Sequence, residues 1–82
     1  MDADLLVFLK DGIYRIKILK ALENKSMLSS ELALELNVNR SSMSRMLKLL
    51  KEKDLIVSNS NKTRTVLYSI SKKGKKIIGE LK

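Results

Sequence analysis

The hydrophobic positions of this chain follow helical periods over most of its length and a two-residue alternation near residue 65. Residues 4–23 are helical in character. Within 13–22, Ile16, Leu19 and Leu22 share one face, with Ile13 and Ile18 at its edges. Arg15 falls inside that apolar arc and reads as a structural ion-pair residue. The run Leu5-Leu6-Val7-Phe8-Leu9 is apolar all the way round, whereas an amphipathic surface helix needs only one stripe. Two readings stay open: a short buried strand, or a segment with one side on the core and the other on a second molecule. Gly12 then marks a kink or break.

Further on, Ser26-Met27-Leu28 is a candidate short strand. Ser29 is a good N-cap for a brief helix over 30–36, with Glu31 near its positive end and Leu32, Ala33 and Leu36 as its core face. Asn37-Val38-Asn39 is a polar turn with one apolar anchor, and Asn39 is the natural N-cap of the next helix, 40–53. At 100° per residue Met43, Met46, Leu47 and Leu50 share one face of that helix, while Ser41, Ser44, Arg45 and Lys48 lie opposite, with Arg40 and Ser42 nearby at its start. Serines are indifferent helix formers. Capping accounts for Ser41 but not for Ser44, and small hydroxyls suit a helix that approaches another surface closely. The run Leu55-Ile56-Val57-Ser58, a polar tip over 59–64, and Thr65-Val66-Leu67-Tyr68-Ser69-Ile70 read as a hairpin with Val66, Tyr68 and Ile70 on one face. Ser71 caps a last helix, 72–81, in which Ile77, Ile78 and Leu81 supply the apolar contacts. Lys72, Lys73, Lys75 and Lys76 crowd its first turn against the helix dipole: either an anionic neighbour relieves that cost, or the run is frayed and solvated.

Composition narrows what this framework can do. With 82 residues there is room for one domain, 1–82, and the absence of Cys and His removes disulfides, thiolate or imidazole metal sites and His-based catalysis. Three glycines form no phosphate-cradling loop, and no apolar run nears the roughly 20 residues of a membrane span. A soluble, cytoplasmic protein with neither cofactor nor enzymatic activity is expected. The net charge of +8 is unevenly spread: residues 1–39 sum to −1 and residues 40–82 to +9. A one-sided basic field on so small a domain is the footprint of a polyanion partner. A lysine-rich surface kept for solubility is the plainer alternative.

Two helices joined by a tight turn, the second with a polar-basic outer face, followed by a hairpin with a basic tip, read as a winged helix-turn-helix. The fold class expected is mainly α with a small β-hairpin, in the order α-(β)-α-α-β-β-α. The resemblance extends to motifs. Arg15-Ile16-Lys17-Ile18-Leu19-Lys20-Ala21-Leu22 resembles the R-x-x-I-L-x-x-L opening of small bacterial and archaeal winged-helix regulators, and Ser30-Glu31-Leu32-Ala33 their S-E-L-A helix. The segment from Val38 to Leu47 is similar to the V-S-R-S-T-V-S-R-x-L recognition helix of MarR-like and ArsR-like repressors. Leu50-Lys51-Glu52-Lys53-Asp54-Leu55-Ile56 resembles L-E-x-K-G-L-I, and Tyr68-Ser69-Ile70-Ser71-Lys72-Lys73-Gly74 resembles Y-x-L-T-x-K-G. Asp54 stands where glycine is usual, at a position favouring the left-handed conformation, which Asp tolerates better than most residues.

The resemblance implies a transcriptional regulator that binds double-stranded DNA and is associated with the nucleoid. Its recognition helix would enter the major groove with Asn39, Arg40, Ser41, Ser42, Ser44, Arg45 and Lys48 as contacts, since Arg bonds the guanine edge bidentately and Ser reads base or phosphate. The wing, 59–65, would bring Lys62 and Arg64 to the minor groove or its phosphates, while Lys72, Lys73 and Lys75 hold phosphates without reading sequence. A homodimer is expected through the segment 1–11, using Leu5, Leu6 and Leu9, together with Ile78 and Leu81 of the last helix. Metal sensing is excluded for want of ligands, and a small-molecule effector is not expected, because the flanking helices that frame such pockets in MarR-like proteins are missing. Rival readings are a sequence-independent DNA-coating protein of the same fold and a protein-interaction module, the latter suggested by the exposed-looking Leu34 and Leu49.

Overall fold

The computed structural model describes residues 3–60 and 66–81. In chain order these form α1 (Ala3–Lys10), α2 (Ile13–Leu22), β1 (Met27–Leu28), α3 (Ser29–Leu36), α4 (Arg40–Glu52), β2 (Ile56–Ser60), β3 (Val66–Ile70) and α5 (Lys72–Glu80). The expected order thus gains a helix at its start, and the expected hairpin belongs to a three-stranded antiparallel sheet in the order β1-β3-β2.

The apolar run near the start is a helix, not a strand. Leu5 and Leu9, one turn apart, are buried in the core, Leu6 and Phe8 are half-buried, and Val7 is 60% exposed. Gly12 separates α1 from α2 in an extended conformation, φ −146°. Arg15, expected in an ion pair, instead closes the C-terminal end of α1. The last carbonyls of a helix lack intrahelical partners. Here Asp11 N–H donates to Val7 O, Gly12 N–H to Leu9 O, and the Arg15 guanidinium to Phe8 O at 2.5 Å. The same guanidinium stacks over the Phe8 ring, 4.1 Å from its centroid.

On α2 the buried residues are Ile18, Leu19 and Leu22, while Ile13 is 64% exposed. The core arc is turned from the one expected because α2 is central: α1, α3, β3 and α5 all pack on it. A helix covered from several directions buries more than a single stripe.

Ser29 does not cap α3. Leu28 occupies the cap position, and its N–H donates to the Glu31 carboxylate at 2.9 Å, the backward half of a capping box. Pairing in the sheet runs Met27↔Tyr68, Ile56↔Ile70 and Ser58↔Tyr68, so Met27, Ile56, Tyr68 and Ile70 share the core-facing side. Strand β2 runs two residues further than expected, to Ser60.

Helix α5 begins as expected, with Ser71 as its cap. The Ser71 hydroxyl accepts from Gly74 N–H at 2.9 Å and donates to Asp54 O at 2.6 Å, while Ser71 N–H donates to Leu55 O at 3.1 Å. The start of α5 is thereby tied to the junction between α4 and β2. Asp54 in that junction has φ 60°, the left-handed conformation expected of it. Among the described residues no polar or charged side chain is buried, so polar chemistry is confined to the surface.

Candidate nucleic-acid interface

The helix-turn-helix is built from short-range backbone chemistry. α3 stops because Asn37 adopts the left-handed conformation at φ 55°, which Asn reaches at lower cost than most residues. Asn37 N–H donates to Leu34 O at 3.3 Å and Val38 N–H to Ala33 O at 2.9 Å, satisfying carbonyls that the helix end would otherwise leave open. Val38, half-buried, anchors the turn on the core. Asn39 then caps α4, its Oδ1 accepting from Ser42 N–H at 2.8 Å.

Helix α4 presents the two faces its periodicity predicts. Met43, Leu47 and Leu50 are buried and Met46 is half-buried. Asn39, Arg40, Ser41, Ser44, Arg45 and Lys48 are exposed, while Ser42, whose N–H is already capped, is half-buried. One residue outside the expected set limits this face. Glu52 follows Arg45 by seven residues and is exposed on nearly the same line of the helix. Its carboxylate repels a polyanion, which confines the usable stripe to the first two and a half turns.

Lys72 and Lys73 are exposed at the start of α5. The Ser71 bonds to Asp54 and Leu55 place them beside the C-terminal end of α4. Along that helix they stand about 20 Å from Arg40 at 1.5 Å per residue. They form a second, separate cationic position rather than an extension of the stripe. Lys62 and Arg64, expected on the wing, lie outside the described residues. Strands β2 and β3 carry the hairpin outward to Ser60 and Val66.

Of the residues expected at a dimer contact, Leu5, Leu9 and Ile78 are in the core, with exposures of 5%, 0% and 0%, whereas Leu6 and Leu81 are half-buried. Among the described residues no group of carboxylates is placed to hold a metal ion, and no helix is long and apolar enough to cross a membrane.

A helix pair joined by a tight turn, a hairpin beyond the second helix, and a polar-basic outer face on that helix define a winged helix-turn-helix protein. The chain belongs to the winged helix-turn-helix family, which it matches over residues 13–82. No curated protein is similar enough in sequence to match. Among solved structures it resembles reduced HlyU of Vibrio cholerae, with 26% identity and a TM-score of 0.82 over 96% of this chain and 83% of that one. It is also similar to ZitR of Lactococcus lactis in complex with DNA, with 28% identity and a TM-score of 0.74 over 80% of this chain and 47% of ZitR. The adhesin competence repressor AdcR of Streptococcus pyogenes shares the fold at 17% identity and a TM-score of 0.79, over 94% of this chain and 62% of AdcR. The chain spans about half the length of ZitR.

Proposed function

We propose that this protein is a transcriptional regulator that binds double-stranded DNA sequence-specifically, with α4 in the major groove. The exposed stripe Ser41, Ser44, Arg45 and Lys48, backed by the buried Met43, Leu47 and Leu50, carries this reading. A rigid inner stripe holds the outer one at a fixed angle, which base readout requires. The likeness to ZitR, solved with DNA, supports the same partner. Arg45, one turn into the helix, is the base-reading residue. Arg40 and Lys48 flank it, and Lys72 and Lys73 hold phosphates about 20 Å away. Lys62 and Arg64 act from the wing. Two copies on a palindrome would set their α4 helices about 34 Å apart. The protein works at the nucleoid, and no enzymatic step, cofactor, metal or small-molecule effector enters the proposal.

Selection of bound duplexes from a random pool tests it, and a defined site should emerge. A specificity ratio below about ten between related duplexes selects the DNA-coating alternative instead. On the selected site Arg45→Ala should cost about 1–3 kcal/mol while scrambled-site binding changes far less. Lys73→Ala should weaken both sites alike and make the log–log salt slope shallower by about 0.9 per lost contact on each protomer. Identical behaviour of the two variants in salt-titrated binding would reduce α4 to a backbone-binding surface.

A further inference from the structure

Beside the outward stripe of α4 lies a surface of different character. Tyr14 of α2, Val38 of the turn, and Ser42, Arg45, Met46 and Leu49 of α4 line one shallow, open groove. Tyr14 and Leu49 retain 39% and 38% of their surface, and Ile13, next to Tyr14, retains 64%. A single exposed leucine is ordinary, whereas here apolar side chains from two helices and a turn adjoin in one groove. The DNA reading uses only Ser42 and Arg45 at the edge of this groove, and phosphates gain nothing from its apolar members, so Tyr14, Val38, Met46 and Leu49 are left without a role.

Charge selects the occupant. No carboxylate lines the groove, Arg45 forms part of its wall, and Lys17 Nζ stands over the Tyr14 ring, 5.3 Å from its centroid. A second copy meeting this groove through the same patch, as in a two-fold pair, would set Lys17 and Arg45 against their own like charges. An apolar ridge flanked by carboxylates satisfies both the groove and its rim.

We infer that this groove docks an acidic amphipathic helix of another protein, its apolar ridge seated on Tyr14, Met46 and Leu49 and its carboxylates facing Lys17 and Arg45. Arg45 belongs both to the groove and to the outward stripe. An occupied groove therefore withdraws the main base-reading residue, and partner and duplex exclude one another. The exclusion rests on the DNA reading; the docking does not.

The experiment uses the full chain and a labelled synthetic peptide of about 16 residues, with Leu at helical i, i+3, i+4, i+7 spacing and Glu elsewhere, beside its Leu/Lys counterpart. Fluorescence anisotropy without DNA should show the Leu/Glu peptide binding at least tenfold tighter than the Leu/Lys peptide. Leu49→Gln and Tyr14→Ser, on different helices, should each weaken that binding tenfold or more while circular dichroism stays native. Protein saturated with its selected duplex should bind the peptide at least tenfold more weakly. Equal binding of the two peptides, undiminished binding by both variants, or a stable complex of protein, peptide and duplex would overturn the inference. So would self-association that Leu49→Gln abolishes, because a second copy would then fill the groove. Peptide binding by a protein that binds no duplex would support the docking and overturn the DNA reading with its exclusion.

Discussion

Gly74 and Gly79 lie on the same helix, and alanine is expected to act on them in opposite directions. A Cβ at Gly74 would stand 2.3 Å from the Leu55 carbonyl oxygen and 2.8 Å from Cγ1 of Ile70, whereas one at Gly79 meets nothing within 4 Å. Leu55 O is backbone, and it already accepts from Ser71 N–H, so it cannot yield without loosening the start of α5. Gly74→Ala should cost about 1–3 kcal/mol through overpacking, more than its helix propensity returns. Gly79→Ala should gain up to about 1 kcal/mol from propensity. Urea melts that move the same way for both would show that α5 is not seated on Leu55. A second pair tests the phase of α4. Leu47, 1% exposed, should lose about 2–5 kcal/mol on change to Ala, whereas exposed Lys48 should lose less than about 0.5 kcal/mol. Equal losses in thermal melts would mean that the outward stripe is misassigned.

At the scale of the element, the helix-turn-helix depends on two asparagines with different tasks. Asn37 ends α3 by its left-handed backbone, and Asn39 starts α4 by its side chain. Asn39→Ala leaves Ser42 N–H without its acceptor and should cost about 1 kcal/mol. Asn39→Asp keeps an acceptor at the positive helix end and should match the parent in stability. Chemical denaturation of the two variants gives the comparison, and a loss as large for Asp as for Ala would refute the capping role. The same economy appears in α1. That helix is too short to stand alone, and it is held by two buried leucines and by Arg15 at its last turn.

At the scale of the whole molecule, charge and self-association each have a test. With +9 in residues 40–82, binding should weaken steeply with salt, and two recognition helices on one duplex would double that dependence. Deleting residues 1–11 cannot isolate a dimer contact, because the deletion also strips Leu5 and Leu9 from the core. Val7, 60% exposed on α1, is the position that tests the contact without touching the core. If α1 joins two copies, the parent should sediment as a dimer and Val7→Glu as a monomer. Self-association at parental strength would place the interface elsewhere.

Where the physics is local, the sequence determined most of the result, the α3 cap expected at Ser29 and found at Leu28 being the exception. The caps Asn39 and Ser71, the left-handed Asp54, the inner and outer faces of α4 and the alternation of β3 all follow from neighbours within a turn or two. The family motifs drew on those same local positions. Residues 37–39 were read only as a polar turn, and the structure showed that Asn37 takes the positive φ, which Asn reaches more readily than most residues. Matters that depend on what packs against a residue were decided only by the tertiary structure. The run from Leu5 to Leu9 carries no single stripe, so its helical state, and the placing of Leu5 and Leu9 inside rather than between molecules, came from contact with α2 and the core. Arg15 was read as an ion-pair residue because its apolar surroundings on the wheel were visible, while the carbonyl and ring of Phe8, seven residues back, were not. Gly74 was visible only as part of a motif. Its necessity lies in the Leu55 carbonyl, nineteen residues earlier, which a folded backbone brings against it. Sequence patterns report the period of one element, but burial is set by how many others surround it.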